Sequence, residues 1–168
     1  FLYLYFFSIP LFEDTDAPWH LAIGALILDL GKIPATDSWT YTAGGHPWYI
    51  ISWLYDLIAE LVNRAAGLKG LYIFMVAGFA GVAALLAYEL LQYKNIGSNA
   101  IILALLLAGS CLIGFTEVRP HLVGYLCISG FHIILHKSRE REGFQQFLPL
   151  PLIMVLWVNT HGSIMVGL

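Results

Sequence analysis

The sequence predicts an all-α fold: a polytopic transmembrane helical bundle whose first outer loop carries two interfacial juxtamembrane helices. Three observations lead there. The 168-residue chain is 59% hydrophobic and 11% charged, whereas soluble domains carry roughly a quarter charged residues. Its mean hydropathy is +0.76. Apolar runs at about 70–92, 97–115, 119–136 and 147–168 each approach the ~20 residues that cross a bilayer.

The remaining composition narrows the class. A net charge of −3 offers no basic face, so nucleic acid is not an expected partner. Both cysteines, Cys111 and Cys127, lie inside apolar runs, which argues against a disulfide framework. The chain opens and closes within apolar sequence and reads as an N-terminal piece of a longer membrane domain. Residues 1–12 are then part of a first span, and 13–69 form an outer loop.

Within that loop, Asp16 and Pro18 have the grammar of a helix start. Trp19, Ile23, Leu26, Ile27 and Leu30 recur at helical spacing, and Gly31 and Pro34 end the pattern. Residues 35–47 are turn-rich, and Trp39 and Tyr41 suit the headgroup level. Residues 48–66 are long enough to span. They nevertheless place Trp48, Ile51, Tyr55, Ile58 and Val62 on one face and Ser52, Asp56, Glu60 and Asn63 near another. That pattern predicts a helix lying in the interface plane, with Asp56 and Glu60 on a solvated stripe. Charge bias agrees. If 48–66 does not cross, Lys94 and the basic cluster at 137–141 share the cytoplasmic side and the acidic loop falls outside.

The same arrangement gathers the candidate site on the outer face. Asp14 and Asp16 follow directly on an apolar run. Either could act as a general base on an acceptor hydroxyl, or the two could hold a divalent cation. Asp16 has a competing job as a helix cap. Arg119 could clamp a phosphate through its planar guanidinium or snorkel to the interface. His20, His46, His121 and His161 fall on this side, and His132 and His136 at the opposite end. Asn159, Thr160 and His161 need partners inside a bundle, either by packing or as the lining of a polar cavity. Candidate substrate-binding residues are thus Arg119, His20, His121, Asn159 and His161. Ser163 and Gly167 have the spacing of close helix approach. The chain has no Walker, Rossmann, H-E-x-x-H or G-x-S-x-G motif, so no nucleotide cofactor is indicated.

The stretches D-T-D-A-P-W-H-L-A-I-G (14–24), G-K-I-P-A-T-D-S-W-T-Y-T (31–42) and H-P-W-Y-I-I-S-W-L (46–54), with the later R-P-H (119–121) and W-V-N-T-H-G (157–162), carry a further indication. Together they resemble a bacterial family of polytopic membrane proteins similar to the GT-C glycosyltransferases. The resemblance implies a GT-C-like bundle whose first outer loop bears a catalytic carboxylate and helices lying along the membrane. It implies a sugar donor on polyprenyl phosphate or diphosphate and, in some members, a divalent metal such as magnesium or manganese. By position, Asp14 or Asp16 corresponds to the acceptor-activating or metal-binding acid. Arg119 fits a donor-phosphate contact by its chemistry.

The expectation is therefore an integral-membrane glycosyltransferase on the outer face of a bacterial inner membrane. Its partners would be a lipid-linked sugar donor and membrane lipids. The alternative is a non-enzymatic transporter, flippase-like carrier or scaffold, in which the same polar residues line a path or lock helices together.

Overall fold

The fold described below is that of a computed structural model, which describes residues 16–93, 95–113, 117–138 and 143–166. Helix α1 (Asp16–Leu30) starts with its acid in the first turn, where a carboxylate opposes the positive end of the helix dipole. It stops at Gly31, whose φ of 62° is the left-handed conformation that ends many helices. Its buried residues, Ala17, His20, Ile23, Gly24 and Ile27, form one stripe at helical spacing. A histidine lies in the middle of that stripe.

The chain then doubles back through residues 31–52. Thr36 bridges Pro47, and the Trp48 N–H donates to the Ala35 carbonyl at 2.9 Å. Asp37 organises the turn, accepting the Trp39 and Thr40 N–H groups and the Thr40 hydroxyl. The Thr40 hydroxyl and these N–H groups hold its carboxyl below the usual carboxylate range. The fold-back brings three indoles together: Trp19–Trp39, Trp39–Trp48 and Trp19–Trp48 centroids lie 5.4, 5.6 and 6.0 Å apart.

Helix α2 (Trp53–Leu91) is interrupted at Gly67, where φ 62° and ψ −162° leave the helical region. The sequence segment 48–66 thus becomes helical only from Trp53. Its first arm packs on α1, pairing 20 with 56, 24 with 60 and 29 with 64. Both numbers rise together, so the two helices run in the same direction. The second arm packs on helix α4 (His121–Ser138) through Gly78 against Leu122 and Gly81 against Leu126, again in parallel. Helix α3 (Ser98–Ile113) makes the return between them. Helix α5 (Pro149–Val158) runs antiparallel to α4, with Gly130 near Ile153 and Gly124 near Trp157. Short 3₁₀ turns at Gln145–Phe147 and Gly162–Val166 flank α5. Ala17, Tyr55, Ala59, Leu71, Met75, Phe79, Val82, Val118 and Leu122 form the apolar core.

The all-α class holds, but the polytopic GT-C-like bundle does not. Among the described residues one helix, α2, is long and apolar enough to cross a membrane. Its most apolar window has a mean hydropathy of 2.1 and is 28% buried, which is unlike the mostly buried core helix of a soluble protein. The other apolar runs give shorter or more polar helices. Helix α3 has 16 residues, roughly 24 Å of rise against a hydrocarbon core of about 30 Å. Helix α5 has 10. Helix α4 has 18 but carries three histidines and Lys137. Asn159, Thr160 and His161 cut the last apolar run, because the chain turns there to satisfy its polar groups.

Candidate functional site

Polar groups from four separate segments gather in one place. From α1 comes His20, whose Nδ1 lies 2.6 Å from Asp56 Oδ1 on α2. Asp56 is fully buried, and its second oxygen accepts the Ser52 hydroxyl at 3.1 Å. The His20 ring meets the buried Tyr55 edge-on, with centroids 5.3 Å apart. This geometry depends on Gly24. A Cβ there would lie 2.2 Å from the Asp56 carbonyl oxygen and 2.6 Å from Glu60 Cβ, so a larger residue would push α1 off the arm that supplies Asp56.

The turn before α4 supplies Arg119. Its Nη1 lies 3.2 Å from Asp16 Oδ2 and its Nε 2.6 Å from Glu117 Oε2. Buried Val118 anchors this turn in the core. Two residues on, His121 packs edge-on against Tyr125 and stands with its centroid 6.4 Å from that of His161.

The segment after α5 closes the site. Trp53 donates its indole N–H to Asn159 Oδ1 at 2.8 Å, and the Leu54 N–H donates to the Asn159 carbonyl at 3.1 Å. These bonds fix residues 159–163 against the start of α2. Thr160 is fully buried and bonds back to the Leu156 and Trp157 carbonyls. His161 sits beside Ser163, Nδ1 to Oγ 2.6 Å. Burial, then the charges of His121 and His20, push the His161 imidazole below its ordinary pKa.

Five of the expected site residues therefore belong to one assembly: Asp16, His20, Arg119, His121 and His161. Asn159 serves as the strut that joins it to α2. His46 stays in the exposed fold-back loop. Asp14, the first of the two candidate acids, lies outside the described residues. Among the described residues no three His, Cys, Asp or Glu side chains stand where they could hold a metal ion; Asp16 brings one carboxylate, already engaged by Arg119.

The expectation for Asp56 and Glu60 is corrected. Both are buried rather than solvated. Glu60 accepts Arg64 Nε at 2.9 Å and Asn63 Nδ2 at 3.0 Å, and Arg64 reaches Asp29 on α1 at 3.2 Å. That cluster is a structural clasp. Asp56, by contrast, is part of the candidate site. Its signal in the sequence was His20 on the apolar stripe of α1, since a buried imidazole needs a hydrogen-bond partner on the facing element.

At the other end of α2, Glu89 is buried, and among the described residues neither of its carboxylate oxygens accepts a hydrogen bond. His136 Nδ1 and His132 Nδ1 approach its Oε1 at 3.1 and 3.5 Å. This cluster lies further along α2 and α4 than the candidate site, whose α4 residues His121 and Gly124 pack beside Gly78 and Gly81.

Comparison with known protein families, curated proteins and solved structures finds no match to this chain.

Proposed function

We propose that the chain carries the reactive part of a membrane glycosyltransferase, which moves a sugar from a polyprenyl-phosphate-type donor to a hydroxyl acceptor at the outer face of a bacterial inner membrane. The observation that carries this reading is the buried Asp56–His20 couple, set in one assembly with Arg119. Asp56 accepts at His20 Nδ1, which leaves Nε2 with its lone pair as a general base. His20 would take the acceptor's proton as the hydroxyl oxygen attacks the anomeric carbon. The bond to the donor phosphate breaks, and Arg119 offsets the charge left on the phosphate. Asp16 holds Arg119 in place. A magnesium or manganese ion held by Asp14 and Asp16 would have to draw Asp16 away from Arg119.

The test uses the purified full-length protein with polyprenyl-phosphate sugars, with and without EDTA. Wild type is expected to transfer sugar. His20→Gln is expected to lose roughly 10²–10⁴ in rate, the usual worth of a positioned acid–base group. Unchanged transfer in both His20→Gln and Arg119→Gln would sink the assignment.

A second reading is favoured by one observation. Arg119 is engaged on both sides, by Asp16 and Glu117, as a helix-locking residue in a carrier or scaffold would be. Counterflow of a lipid-linked sugar in proteoliposomes without product formation would favour that reading.

A further inference from the structure

The His161 imidazole is addressed at one nitrogen by a short relay. Trp157 is 1% exposed and donates its indole N–H to Ser163 Oγ at 2.9 Å. An indole nitrogen only donates, so the serine oxygen spends a lone pair there. Its own hydrogen is then free to turn to the next acceptor, and His161 Nδ1 lies 2.6 Å away. The Ser163 backbone N–H points at the same Nδ1 from 3.2 Å. A ring nitrogen approached by two donors is an acceptor, and the proton of a neutral imidazole then sits on Nε2.

The relay has a prepared seat on α4. A Cβ added at Gly124 would come 2.7 Å from Ser163 Oγ, 3.4 Å from Trp157 Nε1 and 3.5 Å from His161 Nδ1. All three polar atoms converge over Gly124, where α4 has no side chain. Of the small-residue pair Ser163 and Gly167, Gly167 lies outside the described residues; Ser163 packs on Gly124 and places its hydroxyl beside His161.

We infer that Trp157 and Ser163 are positioning residues that hold His161 as the neutral Nε2–H tautomer, which makes it a fixed hydrogen-bond donor to an anionic oxygen of the bound ligand. Burial and the neighbouring His121 and His20 work in the same direction, since each disfavours a second proton on the ring. A neutral donor complements Arg119: it contributes direction without adding a positive charge close to two other imidazoles. The tautomer follows from the relay alone. The ligand's anionic oxygen rests on the reading given above for the site.

Nitrogen-15 histidine spectra of the full-length protein in nanodiscs test the two halves separately, with the His161 signals assigned by their loss in His161→Gln. Wild type at neutral pH is expected to show an unprotonated Nδ1 and a protonated Nε2. Ser163→Ala is expected to turn that single pattern into a tautomer mixture. Trp157→Phe keeps most of the ring volume and gives a second route to the same loss if Ser163→Ala fails to fold. A proton on Nδ1 in wild type, or an unchanged pattern in both variants, would overturn the relay. For the ligand, inorganic phosphate and vesicles containing a phosphomonoester lipid are titrated in separate arms. A shift of Nε2 in either arm supports the donor role and says which source is preferred. No shift in either arm removes the anionic-oxygen assignment. Absence of sugar transfer with an intact tautomer and a phosphate-induced shift would reject the glycosyltransferase reading while upholding this one.

Discussion

His20 and His161 each have a ring nitrogen that a partner assigns, and the assignments are opposite. Asp56 accepts from Nδ1 of His20, whereas Ser163 donates to Nδ1 of His161. One ring is therefore set up as a base at Nε2 and the other as a donor there. The His161 environment also carries a pH signature. Burial and the nearby histidines lower its folded-state pKa below the ordinary 6.5, so on acidification the unfolded chain takes up this proton first. Stability linked to His161 is then fully present above about pH 6.5 and is lost as the pH falls through the folded value. Thermal unfolding in detergent is expected to show a falling Tm between neutral pH and about pH 5, with a shallower fall in His161→Gln. An equally steep fall in that variant would assign the acid sensitivity elsewhere.

At the level of elements, the seat of α1 on α2 decides whether His20 meets Asp56 at all. In an open helix interior a Gly→Ala change gains roughly 1 kcal/mol. At Gly24 the new Cβ would fall 2.2 Å from a backbone carbonyl oxygen, which no side-chain rotation relieves. The overpacking cost, about 1–3 kcal/mol, is expected to win, so Gly24→Ala should lower Tm and weaken the His20–Asp56 contact. A rise in Tm would mean that α1 and α2 are not seated this closely. Much of this pair was legible in the sequence. The extent of α1 followed from Asp16, the helical spacing and Gly31, and the polar groups at 119–121 and 159–161 stood out against apolar surroundings. The burial of Asp56 and Glu60 was not legible, because a carboxylate stripe faces water only when nothing else satisfies it. Here Ser52, His20, Asn63 and Arg64 do so. The Trp157–Ser163 relay was equally hidden, since it needs Gly124 on a different helix to make room.

At the level of the whole molecule, the sequence overcounts membrane-crossing helices because hydropathy sums along the chain and does not register where turns must fall. Among the described residues one apolar arm long enough to cross a membrane remains. From Gly67 to Leu91 the second arm of α2 rises through 24 residues, roughly 36 Å, against about 30 Å of hydrocarbon. It therefore has length to spare for a crossing. The His20–Asp56 couple precedes it in the chain, the site's α4 residues His121 and Gly124 lie alongside Gly78 and Gly81 in its middle, and Glu89 with His132 and His136 lies at its far end. If this arm crosses the membrane, positions flanking it must face opposite compartments. The exposed Cys111 and the buried Cys127 are first replaced by serine, and single cysteines are then introduced as Arg64→Cys and Tyr93→Cys. In intact cells, Arg64→Cys is expected to react with an impermeant thiol reagent, and Tyr93→Cys only after permeabilisation. Labelling of both from the same side would mean that the arm does not cross. Labelling of Tyr93→Cys alone from outside would keep the crossing but reverse it, placing Arg64 on the cytoplasmic face, against the orientation expected for an outer loop.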